Sequence, residues 1–324
     1  MTRAGICGSA DSALGARYGE ADARWRGPWN DTIATMLAHR SVRRFAADDI
    51  DDDTLSALIA AAQSASTSSN LQSWSVVAVR DPARKRQLRA LAGDQAFIEA
   101  APVVLIWLAD FSRAQRIADD EGAPLAAAEL VESTIVGVVD AALAAQNALI
   151  AAESLGLGGV YIGAIRNRPD EVAELLELPP RTFAVFGLAL GHPDPADRAG
   201  VKPRLPQSAV LHLERYDGRR VAEHLATQER TLDAYNATQG RRVSWRQTVL
   251  RRLRDYANLS GREHLRGGAR TETAAQPLAT SVSVLGRPDH GETLEHDLLL
   301  GRPRAAAGGR RALPIAPVTL APGG

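Results

Sequence analysis

Cysteine is nearly absent from this 324-residue chain. Cys7 stands alone, which excludes an internal disulfide and a thiolate metal cluster and fits a reducing cytoplasm. Net charge is missing too: 38 Lys and Arg balance 38 Asp and Glu, so the molecule as a whole offers no case for nucleic acid or an acidic membrane surface. Residues 1–30 carry charge and glycine throughout and lack an uninterrupted apolar stretch, so no export signal is indicated. The most apolar run, 134–152, is broken by Asp140, Gln146 and Asn147, which makes it a poor membrane span and a good buried helix. No repeat of solenoid period occurs. What remains is 45% hydrophobic content, enough for a substantial core.

The pattern along the chain mixes helices and strands without strict alternation, and predicts an α+β layered domain rather than a doubly wound parallel sheet. Residues 1–28 show no clear periodicity and are expected to form a loose arm. Asn30 or Asp31 caps a helix carrying Ile33, Met36 and Leu37, and Asp51 to Asp53 cap a second with Leu55, Leu58, Ile59 and Ala62 on one face. A polar run, 64–70, ends that helix. Strands are expected at 74–79, 103–108, 160–163 and 183–190, the second an unbroken apolar run that reads as covered on both faces. A charged helix spans 83–92, and a short one 169–176. The longest helix, 125–155, has so little polar surface that burial nearly all round is expected, in the core centre or against a second subunit. Gly156, Gly158 and Gly159 stop it. An amphipathic helix follows at 221–235, and beyond about residue 260 periodicity is lost and the composition is that of a disordered tail.

Two cationic segments stand out in a neutral chain: His39-Arg40-Ser41-Val42-Arg43 and Lys202-Pro203-Arg204. A protein-bound phosphate needs several convergent, charge-assisted donors, so together they read as an anion clamp. Taken singly, each has an ordinary reading. The first is also a helix C-terminal turn, where cations oppose the dipole, and the second a solvated loop. Ser66-Thr67-Ser68-Ser69-Asn70 fits a capped turn. Gly158-Gly159 through Gly163 has the glycines of a phosphate loop, but before and at the end of a strand, so the dinucleotide fingerprint fails on context. No Ser-His-Asp set, metal-ligand cluster or paired acid and base is required.

The joint order of these segments, with Gly93-Asp94-Gln95, the run 145–163, Leu188 to Gly191 and Val201 to Pro206, resembles the oxygen-insensitive nitroreductases of the NADPH-flavin oxidoreductase type, from about Trp29 to Trp245. The resemblance implies an FMN enzyme with a central, mostly antiparallel sheet flanked by helices, in an intertwined homodimer with the flavin at the subunit interface. It implies a domain over 29–258 and a low-complexity tail over 259–324. His39, Ser41, Lys202 and Arg204 would hold the phosphate and Arg40 the ribityl chain. Arg43 would face the pyrimidine edge, where a guanidinium stabilises charge that builds on hydride acceptance. Gln95 would bond that edge; Thr67, Ser68 and Ser69 would reach the flavin across the dimer. Tyr161, Ile162, Gly163 and Ala164 would pass the ring, with an amide near Gly163 at the reactive nitrogen. Arg43 and Gly163 are thus the catalytic candidates. Ala164 departs from the usual glycine.

The implied cycle is ping-pong: NADPH gives hydride and leaves, and a nitroaromatic, quinone or free flavin takes its place. Arg241 and Arg242 are the candidates for the NADPH 2′-phosphate, since Gln239 stands where the family has its first arginine. The alternative is a catalytically silent flavin-binding sensor or partner-binding module. The resemblance ends at Trp245, after which an Arg-rich stretch is expected not to continue the family's C-terminal helix. A nucleic-acid role for that stretch is disfavoured by its lack of interleaved aromatics. The expected location is the cytoplasm.

Overall fold

A computed structural model of the chain describes residues 9–19, 24–262 and 265. Four strands form one sheet: β1 (Trp74–Val79), β2 (Val103–Asp110), β3 (Gly158–Ile162) and β4 (Thr182–Gly191). Their order is β1-β2-β4-β3, and each neighbouring pair is antiparallel. β2 is buried along its whole length. Its side chains alternate between two cores, as the period of a strand requires.

The helices in chain order are α1 (Ala10–Tyr18), α2 (Asp31–Ala38), α3 (Asp52–Gln63), α4 (Pro82–Leu91), α5 (Ala96–Ala100), α6 (Ser112–Glu121), α7 (Val131–Ser154), α8 (Pro169–Leu175), α9 (Val221–Thr238) and α10 (Trp245–Leu253). On one face of the sheet α3 and α7 pack Leu58, Ala62, Ala148 and Leu149 against Leu105, Trp107, Leu188 and Leu190. On the other, α4, α5 and α8 bring Leu88, Ile98 and Val172 to Val104, Ile106 and Ala189. This is the layered α+β arrangement the pattern predicts. The expected caps form: Asn30 Oδ1 accepts from Ile33 N at 2.9 Å, and Asp51 Oδ1 from Thr54 N at 2.6 Å.

Three expectations are corrected. The long helix starts at Val131, because Leu130 is extended after a 3₁₀ turn at Ala126–Glu129. It is not buried all round. An alanine face, Ala141, Ala144, Ala145, Ala148 and Ala152, lies against the sheet, while Ile135, Val139 and Leu143 keep 46, 47 and 45% of their surface.

Residues 1–28 are not loose throughout. Ser9 caps α1 by accepting from Ser12 N, Gly19 ends it in the left-handed region, and Arg17 is only 6% exposed. Apolar periodicity could not show this helix, because the residue it buries is an arginine.

The chain after Trp245 does not depart into a tail at once. Ser244 caps α10, and Arg262 Nε donates to Asn167 Oδ1 at 2.9 Å, so packed chain runs past the expected boundary at 258. The rest of the expected tail lies outside the described residues, as do Cys7 and its surroundings.

Candidate active site

The segment after α2 runs beside the start of β3. Val42 N donates to Gly159 O at 3.0 Å, and Ser41 bridges Gly159 in parallel sense. This explains the two glycines, which stand inside β3 and not ahead of it. A Cβ on Gly158 would meet Val42 Cγ2 at 2.5 Å, and one on Gly159 would meet Leu190 Cδ2 at 2.7 Å. Glycine is therefore a packing requirement here. His39, at the C-cap of α2, is oriented by Glu153 near the end of α7, with 2.5 Å between His39 Nδ1 and Glu153 Oε1. The second carboxylate oxygen of Glu153 is buried without a hydrogen-bond partner. This pairing commits Nδ1 and leaves Nε2 as the ring nitrogen available to a ligand.

Sequence-distant cations converge on Lys202. Burial first, then Arg43, Arg204 and Arg241, hold its ammonium below the ordinary lysine range. Among the described residues no carboxylate forms an ion pair with Arg43, Lys202, Arg204 or Arg241. By contrast Arg40 is bound to Asp197 at 2.7 Å and Arg44 to Asp194 at 3.0 Å. A cluster of cations left unpaired in a neutral chain is costly alone and suits a polyvalent anion. A phosphate monoester dianion fits the donor set.

The structure thus brings the charges of Arg43, Arg204 and Arg241 onto Lys202, while His39 is held by Glu153 and Ser41 lies beside Gly159. It pairs Arg40 with Asp197 through Nη1. It also places the charge of Arg43 on Lys202, so the two act in one field. Of the Arg241 and Arg242 pair, Arg241 is the one whose charge acts on Lys202. Arg242 is exposed.

Beyond β3 the chain turns through the 3₁₀ segment Gly163–Asn167. Tyr161 packs edge-on against Phe186 with centroids 5.3 Å apart, and its hydroxyl donates to Gln146 Oε1 at 3.4 Å. Burial, with Glu153 nearby, raises its pKa, so the phenol stays protonated. Ile162 is buried and Ala164 packs on the second core. Gly163 has open space toward two guanidiniums: a Cβ there would lie 3.5 Å from Arg166 Nη2 and 3.8 Å from Arg262 Nη1. Gln95 begins α5, its amide donating to Ala92 O at 2.9 Å. It follows a left-handed turn at Gly93 and Asp94, and Gly93 lies beside Asn167.

Thr67, Ser68 and Ser69 are not brought to the cation cluster. Their loop is pinned to the middle of α7, where the buried Asp140 accepts from Ser68 N at 3.0 Å and Ser73 N at 3.3 Å. Ser69, Asn70 and Gln72 all have left-handed φ, of 49°, 55° and 51°. Backbone held this way persists only where its surroundings over-determine it. Asp140 and Glu153 stand 13 positions apart on one helix, roughly 20 Å along its axis. The hydroxyl loop and the His39 segment therefore sit at separate places on one chain. Asp140→Ala is expected to cost about 2–4 kcal/mol, because it orphans buried amide donors. Asp140→Asn, which keeps one acceptor oxygen, should cost less; urea midpoints of the two variants check this.

Sequence reasoning missed Asp140, Glu153, Arg166 and Arg262 as site residues. Asp140 had a visible signal, as a lone charge in an apolar helix. Arg262 had none, since it lay in a stretch read as tail. Burial and then the charge of Arg262 hold the Arg166 guanidinium below the ordinary arginine range, and burial and then Arg252 do the same to Arg262.

Comparison with known proteins agrees with this geometry. The profile described as "Nitroreductase family" matches residues 36–192, and "Nitroreductase family, C-terminal domain" matches 202–271. The second match corrects the expectation that the resemblance ends at Trp245. The FMN reductase (NADPH) of Bacillus subtilis (strain 168) is 46% identical over 58% of this chain and 75% of its own length. The oxygen-insensitive NADPH nitroreductase of Salmonella typhimurium is 42% identical over 68% of this chain and 90% of its own. The structure of the NADPH:FMN oxidoreductase from Vibrio harveyi complexed with NAD+ superposes with a TM-score of 0.66 at 38% identity, covering 74% of this chain and 98% of that one. The two family matches, the identity to these relatives and the superposition converge, and the chain belongs to the nitroreductase family.

Proposed function

We propose that this chain holds FMN between His39, Ser41, Lys202 and Arg204, and uses NADPH to reduce nitroaromatic, quinone or free flavin acceptors. The observation that carries the reading is the convergence of Arg43, Lys202 and Arg204 with no carboxylate paired to them among the described residues. FMN held there would supply the two-electron hydride chemistry between NADPH and the acceptor. The chain's own residues bind and orient. Arg204, His39 Nε2 and the Ser41 hydroxyl take the phosphate; Lys202 stands between them and Arg43, which faces the electron-rich edge of the ring and favours negative charge there. Gln95 and the backbone of Tyr161, Ile162, Gly163 and Ala164 border the ring. Gly163 suits the closest approach because it lacks a Cβ. Arg40, tied to Asp197, stiffens the segment between His39 and Arg43. Arg241, with Arg242 beside it, meets the coenzyme phosphate, which accounts for NADPH over NADH.

The unit that works is a homodimer in this reading. Two observations support it: the exposed ridge of Ile135, Val139 and Leu143 on α7, and the roughly 20 Å that separate Thr67 to Ser69 from the His39 segment of the same chain. A second chain would cover the ridge and bring its hydroxyl loop to this chain's flavin. The catalytic domain runs from about residue 29 through the docked Arg262. The single cysteine suits a reducing cytoplasm. Catalysis, not silent flavin binding, is favoured by an unpaired guanidinium kept at Arg43.

The purified protein should be yellow, bleach anaerobically with NADPH and regain colour on adding a nitroaromatic or quinone. Protein that stays colourless after incubation with FMN would sink the proposal. Bound flavin that neither nicotinamide reduces would select the silent reading.

A further inference from the structure

The N-terminal helix α1 has no place in the chemistry described so far, yet it carries an arginine that is more than nine-tenths buried. Arg17 Nη2 donates to Leu37 O at 2.8 Å and to His39 O at 2.7 Å. Its Nη1 donates to Lys202 O at 3.1 Å. The return contact comes from the backbone, where Arg204 N donates to Arg17 O at 2.9 Å. One residue of α1 is therefore hydrogen-bonded to both cationic segments, which are 159 positions apart in sequence, from Arg43 to Lys202.

Among the described residues no carboxylate pairs with Arg17. Burial first, and then the charge of Arg204, depress its pKa. A buried guanidinium spent on three carbonyls and placed beside like charge is a costly way to stabilise a fold. It is an effective way to fix the spacing of two loops. The planar fork has donors at set angles, which an ammonium lacks. The helix itself is anchored away from the site, with Gly19 in close contact with Thr231 of α9.

We propose that Arg17 is a positioning residue for the flavin phosphate: it ties the His39 segment to the Lys202–Arg204 segment and adds positive potential to the space between them. This inference rests on the assignment of those segments to the phosphate. It gives α1 a role in cofactor retention, and it makes the spacing of the phosphate donors depend on a part of the chain outside the domain expected from residue 29 onward.

Riboflavin, which carries the same ring and ribityl chain without the phosphate, separates a phosphate effect from a general one. Apoprotein from the full chain, titrated with FMN and with riboflavin by fluorescence, provides the readout for wild type, Arg17→Gln, Arg17→Lys and Arg204→Gln. Both Arg17 variants should weaken FMN by about tenfold to a hundredfold, the scale expected when a group that orients a ligand-binding residue is removed. Riboflavin affinity should change less than about twofold in both, against that same scale. Lysine keeps the charge but not the fork, so Arg17→Lys tests the geometry in a variant that should fold even if Arg17→Gln does not.

Equal losses of FMN and riboflavin would show a structural role only and overturn the proposal. So would wild-type FMN affinity in Arg17→Lys. If Arg204→Gln lowers the ratio of FMN to riboflavin affinity while the Arg17 variants leave it unchanged, Arg17 alone is misassigned. If Arg204→Gln leaves the ratio unchanged, the phosphate assignment itself has failed and the inference falls with it.

Discussion

Alanine at position 43 should slow NADPH-driven bleaching of the flavin by about 10²-fold, while FMN affinity falls by less than tenfold. The reasoning is electrostatic. Charge that appears only as the ring accepts hydride is stabilised by a cation already in place, and the gain is largest where no carboxylate shares that cation. Among the described residues Arg43 has no such partner, unlike its neighbours Arg40 and Arg44. Its proximity to Lys202 makes the test sharper. If Arg43 serves mainly as part of the phosphate field, the substitution will release FMN and leave the residual bound flavin reducible at a normal rate. Anaerobic stopped-flow absorbance on protein saturated with FMN separates the two, and Arg43→Lys should recover part of the rate, since the charge is kept and the planar fork is not.

The double substitution Lys202→Met with Arg204→Gln should raise the FMN dissociation constant by about 10²-fold or more, since two hydrogen bonds between charged partners are removed. The protein should then purify colourless but folded, because both side chains are exposed. The pH dependence gives a second measure. In flavin-free protein Lys202 is exposed as a residue but its ammonium is partly desolvated, and this, with Arg43, Arg204 and Arg241, holds it below the ordinary lysine range. A bound phosphate dianion favours the charged form and raises that value again. FMN affinity is therefore full at pH below the lowered value and declines as pH rises through it toward the value of the complex. Lys202→Met alone should remove this alkaline decline. Wild type and Lys202→Met losing affinity in parallel would place the titrating group elsewhere.

Much of the fold was legible before any coordinates. Periodicity placed the strands within a residue or two, with β2 covered on both faces as its unbroken apolar run demands, and Asn30 and Asp51 cap helices where their residue types predict. Clustered cations in a neutral chain pointed to His39 to Arg43 and Lys202 to Arg204 as parts of one anion clamp, and the fold sets the charges of Arg43 and Arg204 on Lys202. Local rules failed where an element is stabilised from a distance. The helix α1 buries an arginine against carbonyls of other segments, so no apolar stripe announces it. The helix α7 was expected to be enclosed by the core or by a second subunit; within one chain it turns an alanine face with Leu149 to the sheet and leaves Ile135, Val139 and Leu143 outward, a distinction that composition does not carry.

The sequence by itself determined the class of fold, the residue types at the cofactor site and the family, because those depend on patterns a few residues long repeated in a set order. Tertiary structure decided which charges are free to meet a ligand. Arg40 and Arg43 are near neighbours in one motif, but only one finds a carboxylate, and that partner, Asp197, is 157 positions away. It also decided that Arg17 bonds the backbone of both cationic segments and that Arg262 reaches Asn167 and the neighbourhood of Gly163. The physical reason is common to both cases. A guanidinium is recruited by whatever acceptors the fold brings to it, a side-chain oxygen for Arg40 and Arg262 and backbone carbonyls for Arg17, and those acceptors lie too far along the chain to be read beside the arginine.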